Sequence, residues 1–96
     1  MIHSTAIIDP AAELASDVTV GPYTLIGAGV KIDSGTEVAS HVVIKGPTRI
    51  GKHCQIFQFA TVGEATPDLK YAGEQTTLTI GDHNIIREGV TLHRGT

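Results

Sequence analysis

The sequence predicts an all-β fold, a parallel β-helix built of hexapeptide repeats. The first observation behind this prediction is a fixed spacing of aliphatic residues. From Ile2 to Val62, every sixth position is Ile, Leu or Val. The positions are Ile2, Ile8, Leu14, Val20, Ile26, Ile32, Val38, Ile44, Ile50, Ile56 and Val62. A period of six fits neither an α-helix nor an amphipathic strand, and is typical of short strands separated by tight corners.

A second series of residues supports the same fold. The positions four residues after each of these aliphatic residues, from Ala6 to Ala60, are all small or β-branched. Cys54 belongs to this series, and we expect it to be a buried packing residue because a free cysteine behaves as a small hydrophobe. Aromatic residues make up only 4% of the chain, which suits a narrow interior filled by branched aliphatic side chains.

The repeat predicts which residues stack on one another. Three hexads close one triangular turn of about 18 residues. Residues one turn apart then lie on neighbouring parallel strands, about 4.8 Å from each other. Three inner ladders follow. They are Ile2, Val20, Val38 and Ile56; Ile8, Ile26, Ile44 and Val62; and Leu14, Ile32 and Ile50.

The repeat breaks after Val62. Asp68 and Glu74 occupy positions where aliphatic residues are expected. Burying unpaired carboxylates is very costly, so these residues cannot point into the core. The sequence therefore predicts one external loop around 64–78, with the register returning at Ile80. Loops on rigid scaffolds are favoured places for binding residues.

Composition excludes several classes of function. The net charge is −3 and no basic run exists, which argues against a nucleic-acid partner. No transmembrane segment or secretory signal pattern is present, so we expect a cytoplasmic protein. The histidines, at positions 3, 41, 53, 83 and 93, have no close spacing in the sequence, which argues against a zinc site. We expect His41, His53 and His83 to be surface or interface residues.

The last hexad of the sequence bears on how much of the domain the chain contains. The chain stops at Thr96 within a regular hexad, and no capping segment follows. Terminal repeats of such folds normally carry atypical capping residues. We therefore expect residues 1–96 to be the N-terminal part of a longer hexapeptide-repeat domain.

Three segments of the chain carry a family resemblance. They are HVVIKGPTRIGKHCQIFQFATVGE, DLKYAGE and IGDHNIIREGVTLHRGT. Together they closely resemble the bacterial UDP-N-acetylglucosamine O-acyltransferases of lipid A biosynthesis. The resemblance implies a left-handed parallel β-helix and a homotrimer with active sites between subunits. It also implies transfer of a 3-hydroxyacyl chain from acyl carrier protein to the 3-hydroxyl of UDP-N-acetylglucosamine, without a metal or other cofactor.

The same resemblance assigns candidate site residues. Asp68, Lys70 and His93 match substrate-binding positions of the family, whereas the family's catalytic histidine falls beyond Thr96. We therefore expect no catalytic residue within this chain. Without the resemblance, Lys70 reads as a solvated lysine, Asp68 as a turn residue and His93 as an exposed polar residue.

Other functions stay open at this point. A related hexapeptide acyltransferase is one, although the later N-acyltransferase of the pathway carries a uridine-binding domain before the repeat, which here starts at Ile2. A non-catalytic β-helix that serves structure or oligomerisation is another. A γ-type carbonic anhydrase is a third, but it requires zinc-binding histidines, and the histidines of this sequence have no close spacing. An ice-binding helix requires a flat threonine array, which the alternation of Thr24, Thr36 and Thr48 with valine does not supply.

Overall fold

The structure is a computed structural model that describes residues 1–65 and 76–94. These residues form 13 short strands and no helix. The strands are β1 Ile7–Ile8, β2 Glu13–Leu14, β3 Thr19–Val20, β4 Leu25–Ile26, β5 Val30–Ile32, β6 Glu37–Val38, β7 Val43–Ile44, β8 Thr48–Ile50, β9 Gln55–Ile56, β10 Thr61–Glu64, β11 Leu78–Ile80, β12 Ile85–Ile86 and β13 Thr91–His93. Within the described part of the chain, no helix is long and apolar enough to cross a membrane.

Each strand pairs in parallel with the third strand after it, so three strands make one coil. The three sheets have the orders β1-β4-β7-β10-β13, β2-β5-β8-β11 and β3-β6-β9-β12. The partners confirm the predicted ladders. Ile26 pairs with Ile8 and Ile44, Val38 pairs with Val20 and Ile56, and Ile32 pairs with Leu14 and Ile50. An isolated bridge adds Ile2 to Val20.

The core contains aliphatic residues from both series of the repeat. The inward aliphatic residues from Val20 to Val62 are almost fully buried, and Cys54 is buried as predicted. Three buried threonines, Thr24, Thr36 and Thr48, also belong to the small-residue series, and their hydroxyls are hydrogen-bonded. The Thr36 hydroxyl donates to the carbonyl of Gly51 (2.7 Å) and accepts from the amide of Cys54 (3.1 Å). Thr24 makes the equivalent pair of bonds two hexads earlier.

Several corners use an unusual backbone conformation. Five corner residues other than glycine have a positive φ: Tyr23, His41, His53, Phe59 and His83. Each lies three residues after an inward aliphatic residue, and bulky residues adopt this left-handed region only at a cost. Their side chains point away from the core and stack along the outside of the helix. Rings of Tyr23, His41 and Phe59 form one such column, with centroids 5.3 and 5.4 Å apart.

The predicted interruption of the repeat is confirmed, with corrected bounds. Ile50 pairs with Ile80, and Val62 pairs with Leu92, so partners across the break are 30 residues apart instead of 18. The predicted bounds of 64–78 were too wide, because Glu64 lies in β10 and Leu78 in β11. Both residues make backbone hydrogen bonds to neighbouring coils, and the hexad pattern alone does not reveal these bonds.

Candidate functional site

Of the three predicted substrate-binding residues, His93 lies within the described chain. It ends β13, its side chain is exposed, and its partner in the β10–β13 ladder is Glu64. Asp68 and Lys70 lie outside the described residues. His93 is thus on the same strand pair as Glu64, the last residue of the strand that precedes the break. The structure places this histidine next to the point where the regular coil is interrupted.

A β-bulge at Gly63 sets this register. Thr61 and Val62 pair with Thr91 and Leu92 in sequence, but His93 then pairs with Glu64, so Gly63 is skipped. Gly63 is buried and has a φ of 82°, which favours glycine. A Cβ atom there would collide with the carbonyl oxygen of Lys45 and the hydroxyl of Thr48. The bulge, and with it the pairing of Glu64 with His93, therefore requires glycine.

The carboxylate of Glu64 is held by two donors. Lys45 Nζ lies 3.1 Å from Glu64 Oε1, and the amide of Ala65 donates to the same oxygen at 3.3 Å. The hydrogen bond from Lys45 is the main cause that lowers the pKa of Glu64, and the Ala65 amide adds to it. Both side chains remain accessible to solvent, with exposed fractions of 49% for Lys45 and 35% for Glu64.

Arg94 connects this pair to the previous coils. Its amide donates to the carbonyl of Glu64 at 2.8 Å, and its Nη1 donates to the carbonyl of Gly46, also at 2.8 Å. Gly46 directly follows Lys45 in the chain, so these contacts form a closed ring from Lys45 through Glu64 and Arg94 back to Gly46. We call the four residues Lys45, Gly46, Glu64 and Arg94 the corner brace. It joins the ends of β7, β10 and β13 and directly adjoins His93.

The charges of this corner suit an anionic ligand. Lys45 and Arg94 are cationic, His93 is an exposed hydrogen-bonding residue, and Glu64 is the single acidic residue among them. Cationic and N–H donors are the usual partners of phosphate groups. The described residues contain no group of three or more histidine, cysteine, aspartate or glutamate side chains placed to hold a metal ion. The arrangement can bind and orient a ligand, and none of these residues is paired as a nucleophile with a base.

The other predicted surface histidines are exposed, but two of them form a pair that sequence analysis missed. The rings of His53 and His83 stack with their centroids 5.4 Å apart and an interplanar angle of 15°. The two residues are 30 positions apart, the same interval that separates strand partners across the break. Adding the length of the interruption to the repeat would have found this pair from the sequence.

One outer face of the helix is apolar. The sheet that contains β13 exposes Ile7 and Leu25 on its earlier strands, and the adjoining corner exposes Tyr23 and Phe59. Tyr23, Phe59 and Ile7 are each 65% exposed. We call these four residues the apolar face. Contiguous exposed apolar groups often mark interaction surfaces.

Comparison with known proteins finds relatives that carry the same enzyme name. No protein-family model matches the chain. It is 70% identical over 95 residues to the acyl-[acyl-carrier-protein]–UDP-N-acetylglucosamine O-acyltransferase of Saccharophagus degradans, covering 99% of this chain and 37% of that protein. It is 69% identical over 96 residues to the enzyme of the same name from Stutzerimonas stutzeri, covering 100% of this chain and 37% of that protein.

A solved structure supports the same relationship. LpxA from Acinetobacter baumannii matches with a TM-score of 0.96 and 62% identity, over 99% of this chain and 37% of that one. This match confirms the left-handed parallel β-helix. The chain spans about 37% of the length of the relatives named here. It is therefore homologous over its whole length to the UDP-N-acetylglucosamine O-acyltransferases, as its sequence resemblance predicted.

Proposed function

We propose that this chain is the N-terminal part of an acyltransferase of lipid A biosynthesis. The full protein moves a 3-hydroxyacyl chain from acyl carrier protein to the 3-hydroxyl of UDP-N-acetylglucosamine. The observation that carries this proposal is the identity of 69–70%, over essentially every residue of the chain, with proteins named for that activity. The fold supports it, because the match to a solved LpxA structure has a TM-score of 0.96.

The proposed reaction is an ordinary acyl transfer. The 3-hydroxyl oxygen of the sugar attacks the thioester carbonyl, the C–O bond forms, and the C–S bond to the carrier breaks. A base removes the hydroxyl proton, and the thiol of the carrier receives a proton as it leaves. Donors must also stabilise the developing oxyanion. We expect the base, a histidine, beyond Thr96, so that residues 1–96 by themselves do not catalyse the reaction.

Within this chain, the proposed roles are substrate binding. Asp68 and Lys70 are assigned to the sugar nucleotide by the family resemblance alone. His93 has additional support, because it is exposed opposite Glu64 and immediately precedes Arg94, a cation suited to the diphosphate. Neither a metal nor an organic cofactor is part of the proposal.

We also propose that the full protein is a homotrimer in the cytoplasm. The apolar face supports an interface between subunits, since four large apolar side chains are exposed together on one side of the helix. Sedimentation velocity of the full-length protein tests the trimer, and Leu25→Lys should shift it towards monomer. A monomeric wild-type protein would contradict the proposal. Fractionation of cells that express the full-length protein tests the location.

Turnover by the full-length protein tests the proposed activity. We expect purified protein to convert UDP-N-acetylglucosamine and a 3-hydroxyacyl carrier protein into the 3-O-acylated sugar nucleotide, detected by mass spectrometry. His93→Ala should raise the KM for the sugar nucleotide about tenfold or more, since it removes a hydrogen bond to a charged or polar group. His83→Ala is the matched control at an exposed histidine of another corner and should leave KM unchanged. Binding of the sugar nucleotide without turnover would contradict the enzymatic proposal.

A further inference from the structure

The corner brace ties together three coils beside His93. The Arg94–Gly46 hydrogen bond joins residues 48 positions apart in the sequence, and the Lys45–Glu64 ion pair joins residues 19 positions apart. Glu64 is the common member, because its carboxylate contacts Lys45 and its carbonyl accepts from Arg94. Glu64 is thus linked to Lys45 through its side chain and, through its backbone, to the residue that immediately follows His93.

The exposure of the ion pair argues against a mainly stabilising role. Lys45 and Glu64 are half and one-third exposed, and ion pairs of this kind contribute little to the free energy of unfolding. Their geometry is nevertheless well defined, since the Glu64 carboxylate receives donors from Lys45 and from the Ala65 amide. Such an arrangement fixes the direction of a side chain and of the adjoining backbone more than it stabilises the fold.

Charge gives a second reason for the pairing. Glu64 is an acidic residue opposite His93, where the proposed substrate brings a diphosphate. An uncompensated carboxylate at this place would repel that ligand. Lys45, at 3.1 Å, compensates the charge and leaves the corner with a net positive balance from Arg94. The ion pair thus allows a carboxylate to shape the corner without opposing an anionic ligand.

We propose that Glu64, neutralised by Lys45, is a positioning residue for His93 in the sugar-nucleotide site. It acts by fixing the pairing of β10 with β13 and the backbone of Arg94, and it does not touch the substrate. The inference rests on the proposed function and extends it to residues that the family resemblance did not assign. It predicts that the effect of the brace on substrate binding depends on the presence of His93.

The test is a set of double-mutant cycles in the full-length protein. Lys45→Met and Glu64→Ala are each combined with His93→Ala, and the KM and kcat for UDP-N-acetylglucosamine are measured for every variant. We expect each single brace variant to raise KM about fivefold with kcat within about twofold of wild type. In the His93→Ala background, the same changes should alter KM by less than about twofold, because only the direct charge effect on the ligand remains. Glu64→Gln keeps an oxygen acceptor for both donors and should restore most of the affinity.

A matched control uses the exposed ion pair between Arg49 and Asp33, 3.5 Å apart on another sheet. Asp33→Asn should leave KM unchanged in both backgrounds. Brace variants that raise KM by the same factor with and without His93, or no more than Asp33→Asn does, overturn the inference while the proposed function stands. A wild-type protein without turnover overturns both. If Glu64→Ala fails to fold, as judged by circular dichroism, Lys45→Met decides the outcome, because it leaves the bulged backbone unchanged.

Discussion

Two corners of the same coils differ in how their residues contact one another from coil to coil. At the histidine corner, formed by Asp17, Gly35, His53 and His83, the residues follow one another in a regular column, each three residues after an inward aliphatic residue. The ring of His53 lies in the space that a Cβ of Gly35 would occupy. At the corner brace, the Lys45–Glu64 contact instead runs diagonally between different positions of the repeat, and the Arg94 guanidinium reaches across two coils to Gly46.

The difference between the corners follows from the Gly63 bulge. Where the register is unbroken, a side chain meets its equivalent on the next coil, as His53 meets His83. The bulge shifts β10 by one residue against β13, so that equivalent positions no longer face each other. New partners then become available, and the proposed substrate-binding histidine lies among them. Among the strand pairs that the structure describes, the register shift therefore lies where we propose that a ligand binds.

Among the variants that test the bulged corner and the regular coil, Gly63→Ala is expected to have the largest effect on the free energy of unfolding. Its Cβ would collide with backbone and side-chain oxygens of Lys45 and Thr48 at a φ of 82°. We expect a loss of about 3 kcal/mol or more in the free energy of unfolding, measured by urea denaturation. Gly89→Ala is the matched control, because its φ is 72° but nothing lies within 4 Å of the added atom. It should cost only about 1 kcal/mol. Equal losses for both variants would show that the backbone angle alone, and not the bulge, requires glycine.

Thr36→Val should have the next largest effect and tests the regular part of the coil. The substitution keeps the shape of the side chain but removes the hydroxyl that donates to Gly51 and accepts from Cys54. Two buried backbone groups lose their side-chain partner, so we expect a loss of about 1–3 kcal/mol in unfolding free energy. Val42→Thr, at a buried position of the same series, should also destabilise because the new hydroxyl is buried. A neutral Thr36→Val would mean that the hydroxyl only fills space.

The sequence predicts the regular corners better than the irregular one. A single period gave all three ladders, because every inward position obeys the same rule of burial. The pairing of His53 with His83 could also be found, once the return of the repeat at Ile80 fixed the length of the interruption. The brace could not, since the hexad pattern does not show that the Arg94 side chain donates to the carbonyl of Gly46, and the one-residue bulge adds no hydrophobic signal. The left-handed Tyr23 and Phe59 were equally hidden, because residue preferences favour glycine at such corners.

The smallest predicted effect compares the two carboxylates, Asp17 and Glu64. The Ser34 hydroxyl, assisted by the Gly35 amide, lowers the pKa of Asp17, as Lys45 lowers that of Glu64. A carboxyl group with a lowered folded-state pKa stabilises the protein above its unfolded pKa, and this stabilisation is lost as the pH falls through the folded value. Both contributions should therefore disappear under acidic conditions, below the ordinary pKa values of 3.8 for aspartate and 4.5 for glutamate.

Carboxyl carbon NMR titration can separate the two corners. Ser34→Ala should raise the pKa of Asp17 and leave that of Glu64 unchanged, because its hydroxyl contacts Asp17 alone. Lys45→Met should do the reverse. In 1 M salt, the coulombic part of the Lys45 effect should shrink, whereas the short bond from Ser34, at 2.7 Å, should persist. Cross effects between the two variants would show that the corners are coupled through the coil, and the regular column could then no longer be treated as independent of the site.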